Sequence, residues 1–250
     1  MKNKLLVGNM KMNLNKEEII SYLEKINKIH SKDVVICPSN IYIPYFVNNN
    51  YEVGVQNVFY EDKGAYTGEI SPLQVKSMGV NYTILGHSER RLYFKENEEL
   101  LNKKIKKSLE NDLKVIYCIG ENKSELEEGY TKEILKKQLN ILKEYPCEEN
   151  LIIAYEPIWS IGTGIIPDNE TIYEIIKFIK DHLKETHPNI KVLYGGSVDD
   201  KNIQELNKIE NVDGFLVGGA STKIDVFLKL IEVVVTQWLF SFKFDKLWQN

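Results

Sequence analysis

Arginine is almost missing from this chain: of 32 basic residues only Arg90 and Arg91 are arginine, and the rest are lysine. Against 36 acidic residues the net charge is −4, which supplies no basic field for a nucleic-acid partner. Cysteine is scarce too. Cys37, Cys118 and Cys147 lie far apart with no CxxC spacing, so neither a metal site nor a disulfide framework is indicated, and buried free thiols are expected. No apolar run approaches the roughly 20 residues of a membrane-spanning helix, and the stretch opening the chain is too short for a secretory core. A cytoplasmic protein without membrane contact is the expectation. Walker and dinucleotide fingerprints are absent, which argues against nucleotide ligands.

What remains is an ordinary globular composition of 250 residues, 43% apolar and 27% charged, enough for one sizeable core. Short apolar or β-branched runs recur at Leu5 to Val7, Val34 to Ile36, Val53 to Gln56, Tyr82 to Leu85, Val115 to Cys118, Leu151 to Tyr155, Val192 to Tyr194 and Phe215 to Val217. Their starts are 19 to 41 residues apart, the room a strand, a crossover helix and two loops require. Unbroken hydrophobicity marks strands covered on both faces, as in a parallel sheet. Between them Ile172, Ile175, Ile176, Ile179 and Leu183, and again Leu101, Ile105 and Leu109, form helical stripes able to cover such a sheet. An open doubly wound sheet is built from the same units, but eight of them with no Gly/Ser/Pro-rich linker favour closure into one (β/α)8 TIM barrel, an α/β fold, over residues 1–237.

Function in such a barrel belongs at the C-terminal strand ends. There the chain carries Asn9 and Lys11 after the first run, His87 and Glu89 after the fourth, Glu156 after the sixth, and glycine pairs after the seventh and eighth. Glu156 opens a segment, Pro157, Ile158, Trp159, Ser160, Ile161, Gly162, Thr163 and Gly164, that reads as a lid: proline steers Glu156 toward extended geometry and the glycines permit turns. His87 is expected at a helix N-terminus, where the positive end of the dipole disfavours imidazolium and leaves a neutral ring to donate to a substrate oxygen. His30, His182 and His187 are read as solvent-facing residues on or at the ends of outer helices. Lys11 and Asn9 can face a developing oxyanion. Gly195, Gly196, Ser197, Gly218 and Gly219 offer backbone N–H groups to phosphate, the recurrent anion site of these barrels. The adjacent Arg90 and Arg91 suggest a place where a planar guanidinium is needed and lysine does not serve.

These residues stand in segments that resemble the triosephosphate isomerase family in order and spacing over residues 4–236: NMKMN, CPSNIYI, VQNVFYEDKGAYTGEIS, ILGHSERR, CIGE, AYEPIWSIGTG, YGGSV and GFLVGGAS. The resemblance implies an aldose–ketose isomerase of dihydroxyacetone phosphate and glyceraldehyde 3-phosphate, acting through an enediolate without metal or organic cofactor. It implies Glu156 as base, neutral His87 as carbonyl polariser, Lys11 as positive charge, Asn9 as hydrogen-bond donor and Glu89 as the residue that orients this set. Gly162, Ser197, Gly218 and Gly219 would hold the phosphate. This family is itself the usual illustration of such a base, imidazole and closing loop, so these roles come from the resemblance. It further implies a homodimer in which the loop from Gln56 to Ile70 enters the neighbour, placing Thr67, Gly68 and Glu69, with Met12 nearby, at the interface.

The chain departs from the family pattern at Met10, often Trp in relatives, and at Ile165-Ile166-Pro167, where many have a more polar hinge. After Gln237 an aromatic tail, 238–250, carries Trp238, Phe240, Phe242 and Phe244 in alternation and reads as a remnant. Two competing readings are an aldolase-like or indole-forming phosphate barrel, which needs a Schiff-base lysine or other acids at the strand ends, and a non-catalytic binding protein, which would tolerate loss of Glu156.

Overall fold

The computed structural model describes residues 4–146 and 149–235. Eight strands, β1 (Leu5–Asn9), β2 (Ser31–Cys37), β3 (Tyr51–Val55), β4 (Tyr82–Leu85), β5 (Lys114–Ile119), β6 (Leu151–Tyr155), β7 (Lys191–Tyr194) and β8 (Gly214–Val217), pair in parallel in sequence order. β8 also pairs with β1, Leu5 opposite Gly214 and Gly8 opposite Val217, so the sheet is closed and the open alternative is excluded. All eight expected runs form strands, except that Gln56 at the end of the third lies just past β3. β2 starts earlier than its apolar run, because Ser31 to Asp33 extend it through a partly exposed end that hydrophobicity does not mark.

Two apolar layers follow from the period of two along each strand. Leu5, Val7, Val35, Cys37, Ile84, Ile116, Cys118, Ile152, Ala154, Leu193 and Leu216 form one cluster, filling the barrel. Their alternates, among them Leu6, Val34, Ile36, Val115, Tyr117, Ile153, Val192 and Phe215, join the helices in the other. Both faces are dry, which is why the strands read as solid apolar runs.

Among the described residues the helices are α1 (Lys16–Ile26), α2 (Ile43–Phe46), α3 (Pro72–Ser77), α4 (Ser88–Phe94), α5 (Glu98–Glu110), α6 (Lys123–Glu127), α7 (Thr131–Leu139), α8 (Asn169–Leu183), α9 (Ile203–Leu206) and α10 (Ile224–Val234). The α8 stripe buries Ile172, Ile176, Ile179 and Leu183 with Ile175 at its edge; the α5 stripe buries Leu101 and Ile105 with Leu109 half-buried. Their starts are fixed by side-chain caps. Asn97 accepts from Leu100 N–H and Asp168 from Thr171 N–H, while Asn15 with Glu18 and Asn122 with Glu125 close reciprocal capping boxes. Each such cap contributes about 1 kcal/mol.

His187 is a correction to the sequence reading. It is buried, not solvent-facing: the turn after α8 folds it inward, where Nε2 lies 2.6 Å from Tyr145 O and Nδ1 2.9 Å from Thr186 Oγ1. His30 is exposed, and His182 is partly covered and stacks on Phe178. Cys37 and Cys118 are free and buried, as expected; Cys147 and the 238–250 tail lie outside the described residues.

Candidate active site

Asn9, the buried last residue of β1, accepts through Oδ1 from Lys11 N–H at 3.0 Å. Lys11 itself stands in the left-handed region, φ +52°, a conformation costing a non-glycine residue about 1–3 kcal/mol and typical of functional positions. Two donors hold its carbonyl there: Ser39 Oγ at 3.0 Å and Gln56 Nε2 at 2.8 Å. The twisted backbone carries Nζ to Glu89 Oε1 at 2.6 Å. Met10, between the two, packs fully into the core.

β4 ends one residue before Gly86, and His87 caps α4, so the imidazole does stand at a helix N-terminus. Glu89 N–H donates to His87 Nδ1 at 3.2 Å. An acceptor nitrogen carries no proton, so the neutral ring holds its proton on Nε2. That nitrogen is 3.3 Å from Glu156 Oε1.

Glu156 follows β6 and is 2% exposed. Its N–H donates to Ile119 O at 2.7 Å, and its Oε2 accepts from Ser88 N–H at 3.2 Å. Two glycines make this seat possible: a methyl at position 120 would lie 1.7 Å from Glu156 O, and one at position 195 would lie 2.9 Å from Glu156 Cγ. The Cys118 thiol is pushed well above the usual thiol range, first by burial and then by the Glu156 carboxylate.

The segment that the sequence suggests as a lid leaves Glu156 through Pro157 and a 3₁₀ turn, Ile158–Ser160. One side is tied to Glu121, whose carbonyl accepts from Ile158 N–H at 3.0 Å and whose Oε1 accepts from Trp159 Nε1 at 2.8 Å and Tyr155 OH at 3.2 Å. Burial raises the Glu121 carboxyl above its ordinary range, an effect the Trp159 and Tyr155 hydrogen bonds oppose. The other side is tied by Ser197 Oγ, which donates to Ser160 O at 2.7 Å, and Ser160 Oγ donates to Ile165 O at 2.6 Å. At the exposed tip, residues 162–164, Gly162 and Gly164 have φ of +70° and +77°, and Thr163 between them donates through Oγ1 to Ser160 O at 3.0 Å. Pro167, buried, ends the connection directly before the Asp168 cap of α8.

Asn9, Lys11, His87, Glu156, Gly162, Ser197, Gly218 and Gly219 all border one cleft of about 390 Å³ at the C-terminal end of the barrel. Glu89 does not border it but reaches Lys11 with its carboxylate and His87 with its amide. Met12, Thr67, Gly68 and Glu69 stand elsewhere on the surface, Met12 at 94% exposure; the loop behind Thr67 is internally packed, with Phe59 and Tyr66 rings 4.7 Å apart. The sequence reading assigned no role to the end of β5, yet Cys118, Gly120 and Glu121 form the floor beneath Glu156 and the lid. The only signal was positional, a CIGE segment closing the fifth apolar run.

A family model for triosephosphate isomerase matches residues 4–234. A triosephosphate isomerase of Thermodesulfovibrio yellowstonii is 42% identical over 245 residues, covering 93% of this chain and 100% of that protein. One of Clostridium tetani is 40% identical over 243 residues, 91% and 95% of the two chains. One of Finegoldia magna is 38% identical over 249 residues, 92% and 98%.

Proposed function

This chain belongs to the triosephosphate isomerase family, and on that premise we propose that Glu156 is the base, with His87, Lys11, Asn9 and Glu89 completing the proton-transfer site. The protein interconverts dihydroxyacetone phosphate and glyceraldehyde 3-phosphate, a step of glycolysis and gluconeogenesis. Glu156 takes a proton from C1 of the ketose, and the C–H electron pair moves through the forming double bond to O2. The enediolate is then protonated at C2 to give the aldose, while His87 moves protons between O1 and O2. What supports this most is the 3.3 Å between Glu156 Oε1 and His87 Nε2, two buried groups from different strands brought to one cleft.

A positioned base supplies about 10²–10⁴-fold, and a donor at the oxyanion roughly another 10²–10³-fold, so both must act on the same substrate. His87 offers the Nε2 proton and Lys11 a charge held in place by Glu89. Backbone N–H groups of Gly162, Ser197, Gly218 and Gly219 hold the phosphate, and its binding energy closes the lid and excludes water from the intermediate. Replacing Glu156 by Gln keeps the shape and removes the base; kcat falls about 10³-fold with KM little changed. Retention of wild-type turnover would end this assignment.

The protein further acts as a cytoplasmic homodimer. Met12, Ile41, Tyr45 and Tyr66 are exposed apolar side chains that a second copy would cover, and the exposed tip at Thr67, Gly68 and Glu69 suits entry into that copy, where Thr67 approaches Asn9 and His87. Among the described residues no helix is long and apolar enough to cross a membrane. Sedimentation equilibrium gives twice the 29.0 kDa chain mass; a fully active monomer would contradict this.

A further inference from the structure

His87 and Glu156 follow β4 and β6, which are not paired; β5 lies between them. Strand pairing stops before Gly86 on one side, while on the other a last backbone tie reaches Glu156, whose N–H donates to Ile119 O at 2.7 Å. The β4–β5 ladder ends at Leu85 opposite Tyr117, and the β5–β6 ladder at Ile119 opposite Tyr155, each just before the segment that carries the chemistry. Side-chain hydrogen bonds add to that backbone tie at the same level. Arg91 donates from Nε to Gly86 O at 2.9 Å, from Nη1 to Glu98 Oε1 at 2.9 Å, and from Nη2 to Tyr117 OH at 3.1 Å and Cys118 O at 3.2 Å. Tyr117 OH donates onward to Gln138 O at 2.9 Å. The Gln138 amide clasps Gly120 from both sides, accepting from its N–H at 2.8 Å and donating to its carbonyl at 3.0 Å. Gly120 in turn lies flat against the Glu156 backbone.

We propose that Arg91, Tyr117 and Gln138 are positioning residues forming one strut that sets the His87–Glu156 separation, holding Gly86 next to the imidazole and Gly120 beneath the carboxylate. The proposal rests on the assignment of those two groups made above. It also accounts for the arginine at position 91 in a chain otherwise built with lysine. Four acceptors in different directions need a planar, many-donor fork, which an ammonium on a flexible stem does not provide. Arg90 is not part of the strut; it pairs with Glu96 at 2.7 Å and lies over the Phe94 ring.

A displacement of 1 Å from productive geometry costs up to about 10²-fold, and losing one tie of the strut shifts the groups by a fraction of that. Tyr117→Phe removes a single hydroxyl and keeps the ring under Arg91; Arg91→Lys keeps the charge and loses the fork. Each lowers kcat by about 10-fold, with KM and competitive inhibition by inorganic phosphate within about threefold, because the phosphate loops are untouched. The double variant loses about as much as the worse single one, since a strut cut once is already broken. Added methylguanidinium restores part of kcat to Arg91→Ala. Should the Arg91 variants fail to fold, Tyr117→Phe alone decides. Folded variants at wild-type kcat, or losses in kcat that multiply in the double variant, would overturn the strut. Glu156→Gln assayed alongside separates the two assignments: active Glu156→Gln overturns the base and this proposal with it, whereas inactive Glu156→Gln beside unchanged Tyr117→Phe overturns the strut alone.

Discussion

Alanine at position 195 is a small change with a directed effect. Its methyl carbon lands 2.9 Å from Glu156 Cγ, whereas carbons rest at about 3.5–4.0 Å, so the glutamate side chain must retreat by roughly 0.6–1 Å. The next nearest atom, Tyr155 O at 3.4 Å, is in ordinary contact and need not move. Position 195 does not occupy the left-handed region, so alanine adds no backbone strain and, by restricting the unfolded chain, offsets part of the crowding by about 0.4–1 kcal/mol. The cost therefore falls on catalysis: a shift of that size lowers kcat by about 10- to 10²-fold. A coupled isomerase assay with thermal unfolding and inorganic-phosphate inhibition reads it. The expected pattern is reduced kcat, nearly unchanged Tm and unchanged inhibition. A folded variant within twofold of wild-type kcat, or one whose loss is confined to KM and phosphate affinity, would refute the reasoning, the latter by showing that the methyl obstructs the phosphate loop instead.

Pro167, buried at the foot of the lid and fixed in φ, limits how the lid swings, so Pro167→Ala alters the closure rate in stopped-flow; an unaltered rate counts against a hinge role. Glu121 has a folded-state pKa raised mainly by burial, so the native protein keeps a proton that the unfolded chain has released. Its contribution is present below the unfolded value and is lost as pH rises through the folded one. Glu121→Gln cannot titrate and keeps an acceptor for Trp159, so it gains stability relative to wild type as pH rises from about 4 toward neutrality. Denaturant unfolding across that range checks the direction, and a difference that shrinks or stays flat contradicts it.

The barrel was legible because each strand is buried on two faces and announces itself as a solid apolar run, and each major helix as a stripe. The site was legible where residue type carries the chemistry: Asn9, Lys11, His87 and Glu156 follow strand ends and meet in one cleft. The floor was not. Cys118, Gly120 and Glu121 act by close backbone approach and burial, which residue type does not display, and Gln138 reaches Gly120 from a helix whose sequence looks merely polar at that position. His187 went astray for the opposite reason: a polar residue just past a helix reads as exposed, and only the inward turn after α8 hides it. The guanidinium requirement hinted at by two arginines among thirty lysines found a physical cause at Arg91, where four acceptors converge.

Hydrogen exchange between solvent and substrate carbon tests the role of Glu156 most directly. In heavy water, NMR of dihydroxyacetone phosphate and glyceraldehyde 3-phosphate follows deuterium entering at C1 of the ketose and C2 of the aldose. With the wild-type protein the label enters both positions at rates comparable to isomerisation; with folded Glu156→Gln it enters about 10³-fold more slowly. Label entering at the wild-type rate without the carboxylate would show that another group removes the proton.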